Sequence, residues 1–332
     1  MMNKLTFTLA LLLTAQAAAQ ATQSITVYTG RAKTFVEPIV RQFERDTKLK
    51  VNVRYGSDAE LLAALAEEGT RSPADVFWGN SVGAMGRADA QGLFTKQPTT
   101  TLKRVAENFV PDSGNWVPTT VRFRTLAYNT QKVKAEQMPA SVFDLPKLTQ
   151  FKGRIGWTVS YSSFQDFLSA MITLKGEDVA RQWLKDMMAL QPKDYGRNNV
   201  GMLDAMRTGE IDIALTNHYY IQRVQRAGAP IETHFFGQGD LGSLGNATGA
   251  AILKTSKNRT TAQRFVNYLI SKDAQTFFLG VNFEYPVIQN IPYPTTLAPF
   301  DDVMKRSPKI APEKMDDNVS KAQRLLRELG LL

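Results

Sequence analysis

Two adjacent tyrosines, Tyr219 and Tyr220, are the residues of this sequence with the most distinctive chemical potential. They lie in ALTNHYYIQR, where an apolar segment typical of a strand runs into a segment with helical spacing. One interpretation is that one ring packs in the core and the other is exposed, because neighbours on a helix point about 100° apart. The alternative is that both hydroxyls converge on a ligand that prefers anionic oxygen.

The second interpretation requires both tyrosines to lie in the first turn of a helix. Asn217 can cap that helix and Gly228 can end it. In the first turn both side chains can project past the helix end, where the positive helix dipole favours phenolate over phenol. A free tyrosine has a pKa of about 10, so a bound cation must help to remove its proton. Two phenolates suit Fe³⁺ better than Ca²⁺ or Mg²⁺, which take carboxylates, carbonyls and water.

Alternating strand and helix patterns predict the framework that positions this pair. The predicted strands and the crossing segment are SITVYTG, VNVRYG, ADVFWG, NWVPTTVRFRTLAYNT, RIGWTVS, IDIALTN and GAAILKTS. Helical patterns lie between or after them, and the helix in DAELLAALAEEG has Asp58 as its predicted cap and Gly69 at its end. This alternation predicts parallel pairing with helices on both faces of the sheet. Two such α/β lobes would leave a ligand cleft between strand carboxyl ends and helix amino ends.

The amino-terminal residues, MMNKLTFTLALLLTAQAAAQA, have the pattern of a cleavable secretory signal. Lys4 supplies the positive start, an apolar run follows, and Ala17 and Ala19 are the small residues before the cleavage point. We expect the mature chain to begin near Gln20 or Thr22. The total of 332 residues favours two domains of about 150 residues each.

The predicted organisation has three parts. They are a removed signal peptide at 1–21, a first lobe of 22–120 plus about 246–295, and a second lobe of 121–245 plus about 296–332. The absence of cysteine excludes disulfides, a thiolate metal site and a lipid anchor on cysteine, so export favours a free periplasmic protein. The net charge of +9 is scattered along the chain, and with export this disfavours nucleic acid and leaves an anionic ligand or surface.

Three other features carry weaker signals. GQGDLG, at 237–242, formally matches a dinucleotide-binding pattern but does not open a predicted helix, so it is interpreted as a loop. His218 and His234 are too far apart to indicate a zinc motif, and His218 is predicted either to face the rim of the cleft or to orient the site from behind. The methionines at helical apolar positions are predicted core residues: Met187, Met188, Met202 and Met206.

The sequence also resembles a known family, the periplasmic ferric-ion-binding proteins that deliver iron to ABC importers. The resemblance covers nearly the whole mature chain and includes ITVYTGR, PADVFW, VRFRTLAYNT, KGRIGW, LKGEDVARQWLKDM, GEIDIALTNHYY and GNATGAAIL, in the family's order. It implies an α/β, two-lobed periplasmic-binding-protein fold, type II-like, with a mostly parallel sheet flanked by helices in each lobe. GEIDIALTNHYY is the specific element, because the paired metal-binding tyrosines of the family correspond to Tyr219 and Tyr220.

Other positions match the family less completely. Several relatives have a histidine ligand where this chain has Ala32, and a carboxylate where it has Asn80, which excludes a His-Glu-Tyr-Tyr ligand set. Some branches of the family compensate with a third tyrosine or an extra anion. Tyr161, in VSYSSFQ, is the candidate third phenolate, and the alternative is that it lines the cleft without touching metal.

The resemblance implies Fe³⁺ as cargo, bound together with a synergistic anion such as carbonate or phosphate. Ser162 and Ser163 lie at the family's anion-binding turn and can offer hydroxyls and backbone N–H groups. Arg31 and Arg122 match positions where relatives use arginine against the anion, and a guanidinium can hold carbonate through two hydrogen bonds. A surface charge is the alternative for both arginines.

We therefore predict a monomeric, non-enzymatic carrier that captures periplasmic Fe³⁺ and presents it to the inner-membrane permease of an ABC transporter. The first alternative is the same fold binding an anionic organic solute, such as a sugar phosphate, without metal. The second is an exported enzyme, which would need a nucleophile with a base or a carboxylate pair, and the sequence contains no recognisable pairing of that kind.

Overall fold

The computed structural model describes residues 24–105, 110–315 and 318–332. The predicted signal peptide, at 1–21, lies outside these ranges. Within them, no helix combines the length and apolar character needed to cross a membrane.

Nine strands of the described chain form one sheet, eight of them in one continuous path of backbone pairing. They are β1 Ser24–Thr29, β2 Lys50–Tyr55, β3 Val76–Gly79, β4 Val117–Asn129, β5 Ile155–Trp157, β6 Lys193–Asp194, β7 Ile213–Asn217, β8 Ile231–His234 and β9 Gly245–Ile252. Their order is β2-β1-β3-β9-β4-β7-β5-β6, and β8 also pairs with β4.

Pairing is parallel toward the two ends of this path and antiparallel in the middle. β1 is parallel to β2 and β3, and β5 is parallel to β6 and β7, as the strand–helix alternation predicts. β9 runs antiparallel to β3 and β4, and β4 runs antiparallel to β7 and β8. The sheet is therefore mixed. Its antiparallel pairs involve β4, in which the chain leaves the first half of the sheet, and β9, in which it returns.

β4 is shared by both halves of the sheet. Its residues up to Phe123 pair with β9, and from Arg124 onward it pairs with β7 and β8. Because side chains alternate along a strand, Arg122 and Arg124 lie on the same face, on either side of this change of partners. Two guanidinium groups are thereby placed at the junction of the two halves.

The helices alternate with the strands along the chain. Their bounds are α1 Lys33–Thr47, α2 Asp58–Glu68, α3 Val82–Ala90, α4 Thr99–Leu102, α5 Ser162–Lys175, α6 Glu177–Ala189, α7 Asn199–Arg207, α8 His218–Arg226, α9 Arg259–Leu269, α10 Lys272–Phe277, α11 Phe300–Arg306 and α12 Val319–Glu328. The predicted loop at 237–242 contains only a short 3₁₀ turn, which does not lead into an α-helix.

The start of α2 differs from the prediction. Ser57, rather than Asp58, is the N-cap: its hydroxyl accepts from the Glu60 N–H, and the Glu60 carboxylate accepts from the Ser57 N–H. The Asp58 carboxylate instead accepts from the backbone N–H of Asn80. Gly69 ends the helix as predicted, with a φ of 52°.

The chain turns sharply after α10. A π-helical turn at Phe278–Asn282 is followed by Phe283, which has a left-handed φ of 60°. Tyr285 then forms an isolated antiparallel bridge with Val121 of β4. Glu284, between these two anchors, lines the cleft described below.

Large aromatic side chains fill the core, among them the fully buried Trp78, Trp116 and Trp157. The predicted core methionines Met187, Met202 and Met206 are fully buried, and Met188 packs partly buried against the core. Close packing of this kind holds the strand ends and helix starts rigidly.

Candidate metal centre

Tyr219 and Tyr220 lie in the first turn of α8, directly after β7, as the sequence predicts. Their ring centroids are 4.2 Å apart, with 35° between the ring planes. Tyr219 is buried and Tyr220 partly buried, and both line a cleft of about 680 Å³. The two rings therefore lie against each other on one wall of the cleft, which excludes the interpretation of one core ring and one surface ring.

Asn217 connects the starts of two helices. It occupies the N-cap position of α8, but its side chain makes no capping bond. Its Nδ2 donates instead to Ser163 Oγ at 3.1 Å, and Ser163 lies in the first turn of α5. The amino-terminal ends of α5 and α8, each with unpaired N–H groups and a partial positive charge, are thus held together.

Tyr161 completes a group of three phenols. It is the N-cap residue of α5, and its hydroxyl lies 3.0 Å from that of Tyr220. Burial raises the pKa of both Tyr219 and Tyr220, and the neighbouring Tyr161 raises both further. For Tyr219, Arg122 acts in the opposite direction. Without a bound cation the paired tyrosines are therefore neutral phenols at pH 7, and a hard trivalent ion is the kind of ligand that displaces their protons.

Arg31, directly after β1, is buried rather than a surface charge. Its Nη2 donates to the Glu284 carboxylate at 2.5 Å, and its Nη1 donates to the hydroxyls of Thr120 and Thr248. The guanidinium also lies 5.2 Å from the Trp78 ring centroid. These contacts fix Arg31 at the edge of the cleft, which it lines.

Arg122 is also buried, and its Nη2 donates to the backbone carbonyl of Asn80. Burial lowers the pKa of Arg122, but the negative charges that Tyr219, Tyr161, Glu284 and Asp166 can carry outweigh it and raise the pKa overall. The charge of Arg122 is therefore stabilised by ionisable groups that include two of the three phenols.

Arg124, which no sequence motif singled out, lies buried behind the cleft and interacts electrostatically with Tyr219 and Tyr161. It is buried, its Nη1 contacts Ser163 Oγ at 3.5 Å, and it packs on the rings of Phe164 and Phe167. Burial lowers its pKa to about 10, and a nearby Tyr219 charge would raise it. The alternation in VRFRT, which places Arg122 and Arg124 on one face, is the signal that could have identified it.

Several guanidinium donors of the described structure have no protein partner. They are the buried Nε atoms of Arg31, Arg122 and Arg124, and Nη2 of Arg124. Buried unpaired donors are costly. Arg31 lines the cleft, whereas Arg122 and Arg124 are not among its lining residues, so their charges act on the site from behind the cleft wall.

The two serines occupy different places. Ser162 lines the cleft, whereas Ser163 is buried and its hydroxyl accepts from Asn217 and Arg124. Ser163 therefore supports the turn from behind, and its backbone N–H, like that of Ser162, belongs to the unpaired first turn of α5. Roles for Arg31, Arg122, Ser162 and Ser163 toward an anion stay predictions.

Ala32 and Asn80 also line the cleft, and neither has an anionic side chain. Both backbone polar groups of Asn80 are hydrogen-bonded. Its carbonyl accepts from Arg122, and its N–H donates to Asp58 Oδ1 at 3.0 Å. Burial raises the pKa of Asp58 to about 6, against the effect of the Asn80 N–H.

Three carboxyl groups line the cleft, and the sequence carried no local signal for their placement: Asp58, Asp166 and Glu284. Asp166 accepts from Asn246 Nδ2 at 2.7 Å, and its pKa is raised by burial, with Arg122 opposing that effect. Across residues 24–105, 110–315 and 318–332, no group of three or more His, Cys, Asp or Glu is placed to hold a metal ion.

His218 lies in the interior and not at the rim of the cleft. Its Nδ1 accepts from the Phe123 N–H at 3.1 Å, so Nε2 carries the proton and donates to the Phe283 carbonyl at 2.8 Å. Burial lowers the pKa of His218 to about 4, which keeps the ring neutral. The ring packs edge-on to Tyr219, with 5.9 Å between centroids, and supports that tyrosine from behind.

Comparison with known proteins gives three consistent matches. The model of a family described as bacterial extracellular solute-binding protein matches residues 71–302. The major ferric iron-binding protein of Neisseria meningitidis serogroup B is 32% identical over 321 residues, which cover 95% of each chain. The Fe(3+)-binding periplasmic protein of Serratia marcescens is 32% identical over 320 residues, which cover 95% of this chain and 93% of that protein.

A solved structure extends the similarity to three dimensions. Iron-bound HitA from Pseudomonas aeruginosa superposes with a TM-score of 0.86 at 33% identity, covering 93% of this chain and 100% of that one. These matches confirm the two-lobed α/β fold class and the family resemblance that the sequence motifs indicate.

Proposed function

The chain belongs to the bacterial extracellular solute-binding protein family, and on that premise we propose that it captures Fe³⁺ with a small synergistic anion in the periplasm. It then delivers the ion to the permease of an ABC importer. Its relatives are periplasmic ferric iron-binding proteins, and the family is one of solute-binding transport proteins rather than of enzymes.

One observation carries this proposal: three tyrosine hydroxyl groups from two helix starts meet at one wall of a cleft. Tyr161 and Tyr220 are in hydrogen-bond contact, and Tyr219 lies against Tyr220. Fe³⁺ is a hard ion that prefers anionic oxygen, and three phenolates would supply three such ligands and neutralise its charge. The positive ends of α5 and α8 stabilise the same phenolates.

The anion supplies what the protein lacks on the other side of the ion. Ala32 and Asn80 offer no anionic side-chain ligand, so positions around Fe³⁺ are left for a carbonate or a similar small anion. Arg31 at the cleft, with the charges of Arg122 and Arg124 behind the cleft wall, supports such an anion. Ser162 and Ser163 add the unpaired N–H groups of the α5 start.

Transport requires that loaded and empty protein differ in shape. We propose that a lobe of 22–120 plus about 246–295 and a lobe of 121–245 plus about 296–332 close on the cargo. The permease then distinguishes the closed monomer from the open one, because only the closed form presents both docking surfaces in register. Removal of the predicted signal at 1–21 on export places this mature protein in the periplasm.

The test is the colour of the ferric complex. Purified iron-free protein is mixed with Fe³⁺ in bicarbonate buffer, and the visible absorption band of phenolate-to-iron charge transfer is recorded. We expect a red to orange complex that the double variant Tyr219→Phe, Tyr220→Phe cannot form. Tyr195→Phe is the matched control, because this hydroxyl donates to Glu210 and does not line the cleft. A colourless wild-type protein under these conditions would contradict the proposal.

A second candidate function is binding of an anionic organic solute without metal. It is favoured by the size of the cleft, about 680 Å³, and by the cationic groups among its lining residues: Arg31, Lys33, Arg87, Arg197 and Arg223. A sugar phosphate would then raise the unfolding temperature of the iron-free protein, whereas Fe³⁺ would not.

A further inference from the structure

Arg223 contacts two aromatic rings that belong to different elements of the cleft. It follows Tyr219 by one turn of α8, so the two side chains share a face of that helix. Its guanidinium carbon lies 4.1 Å from the ring centroid of Phe35 and 5.9 Å from that of Tyr219. Both Arg223 and Phe35 line the cleft.

Phe35 comes from α1, the helix that follows Arg31 and packs on the first half of the sheet. It is 8% exposed, and its ring meets that of Tyr219 edge-on, with 6.2 Å between centroids and 83° between planes. The Phe35–Arg223–Tyr219 cluster therefore joins α1 to α8, two elements that follow strands from opposite halves of the sheet.

The composition of this cluster bears on the missing ligands. Ala32, the residue before α1, has no side chain that could bind a metal ion. Phe35, in the first turn of α1, instead provides an apolar ring that contacts the guanidinium of Arg223 from α8. A planar guanidinium can stack on a ring and keep its charge, which a lysine ammonium does less well.

The same guanidinium places a positive charge beside the Tyr219 ring. When Tyr219 ionises, this charge compensates the phenolate and lowers the energy of its electrons. Arg223 can thus affect the ferric site in two separable ways, through a contact between elements and through the electrostatics of one ligand.

We infer that Arg223 is a positioning residue of the ferric site, which holds α8 against α1 through Phe35 and stabilises the Tyr219 phenolate by its charge. This inference rests on the proposed function. It assigns to a cation–π contact the task of holding the start of α1 against α8.

The experiment compares Arg223→Gln, Arg223→Lys and Phe35→Leu with wild-type protein, and uses Arg226→Gln as the matched control. Arg226 lies on the same helix but is exposed and contacts the Gly280 carbonyl and the Phe283 ring, away from the cluster. Circular dichroism of the iron-free proteins checks the fold. The two readouts on the ferric complexes are the wavelength of the charge-transfer band and the rate of iron release to excess chelator.

The two readouts separate charge from contact. We expect Arg223→Gln to move the band to longer wavelength and to release iron about tenfold faster, since electrons leave the phenolate more easily and the cation–π contact is lost. Phe35→Leu should accelerate release and leave the band unchanged. Arg223→Lys should restore the band and only part of the slow release, and Phe35→Leu should add little in the Arg223→Gln background.

The outcomes also separate this inference from the function on which it rests. A folded Arg223→Gln variant whose band and release rate match those of Arg226→Gln overturns the inference and leaves ferric binding intact. Wild-type protein that forms no charge-transfer band overturns both. If Arg223→Gln does not fold, wild-type release rates in both Arg223→Lys and Phe35→Leu overturn the inference.

Discussion

The hydroxyl of Tyr161 lies 3.0 Å from the hydroxyl of Tyr220 and thereby joins the start of α5 to the start of α8. The two residues are 59 positions apart in the sequence, and the pairing of β5 with β7 and the hydrogen bond from Asn217 to Ser163 bring them together. In this contact one hydroxyl donates a hydrogen bond to the other. A cation that binds both oxygens must displace the protons of both hydroxyls.

Replacement of Tyr161 by phenylalanine should weaken ferric binding without preventing it. Two phenolates remain, but one anionic oxygen is lost, and the charge-transfer band should become less intense. We expect the affinity for Fe³⁺ to fall by more than about tenfold. A tenfold loss is the lower limit for a residue that only supports a metal ligand, and loss of a ligand itself should cost more. Competition with a chelator measures the affinity. An unchanged affinity and band intensity would show that Tyr161 only lines the cleft.

Ferric binding should be strongly linked to pH. Burial raises the pKa of Tyr219 and Tyr220, so both are protonated in the iron-free protein at pH 7 and lose their protons when iron binds. The protons of Tyr219 and Tyr220 alone should make the apparent affinity rise by at least about a hundredfold per pH unit after correction for the chelator, and a proton from Tyr161 adds to this slope. The number of protons released per Fe³⁺ bound is measured directly with a pH indicator in weak buffer. Tyr219→Phe should release one proton fewer, and release that does not change would contradict this assignment.

Replacement of Arg124 by methionine should change stability and iron retention in opposite directions. Arg124 is buried with two unpaired donors, and burial lowers its pKa to about 10, which shows the cost of keeping the charge there. The iron-free variant should be about 1 kcal/mol more stable to urea, because an apolar side chain of similar volume replaces an uncompensated charge. Its ferric complex should lose iron faster, because the anion and the phenolates lose a cation.

Arg154→Met is the control for that experiment. Arg154 forms an ion pair with Asp212 at a partly exposed site that does not line the cleft. Its loss should lower the free energy of unfolding by about 1 kcal/mol and leave iron release unchanged. If Arg124→Met and Arg154→Met behave alike in both measurements, Arg124 has no part in the site.

Asp58 should destabilise the iron-free protein once it ionises. Burial raises its pKa to about 6 in the folded state, whereas an unfolded aspartate titrates near 3.9. A raised carboxyl pKa means that wild-type protein loses stability relative to Asp58→Asn as the pH rises from about 4 to 6. The difference should reach at most about 2 kcal/mol, because Asp58 lines the cleft with intermediate exposure and solvent there screens part of its charge. Urea unfolding of both proteins at pH 4, 5 and 7 measures it, and a constant difference would contradict the shifted pKa.

The order of elements and the place of the tyrosine pair could be predicted because they depend on local chemistry. The strand of β7, the helix start at Asn217 and the stop at Gly228 follow from hydrophobic period and capping, so Tyr219 and Tyr220 fall in the first turn of α8. The motifs around them indicated the family, which the similarity of the whole chain to ferric iron-binding proteins confirms.

The family resemblance also indicated Tyr161, Arg31 and Arg122. The placement of the carboxyl groups could not be predicted, because it depends on contacts between segments that are distant in the sequence. Asp58 was predicted to cap a helix, yet its neighbour Ser57 has the better capping geometry, and the carboxylate faces the cleft. Glu284 enters the cleft only because a π-helical turn and a left-handed Phe283 redirect the chain.

By itself, the sequence determined the succession of strands and helices and the pairing of two phenols at a helix start, since both are set by residues that are neighbours along the chain. The tertiary structure alone decided that Tyr161 meets Tyr220, that Arg124 is buried beside them, and that Arg223 reaches Phe35. The physical reason is that burial, charge compensation and hydrogen bonding depend on distance in space, which the packing of the two halves of the sheet fixes.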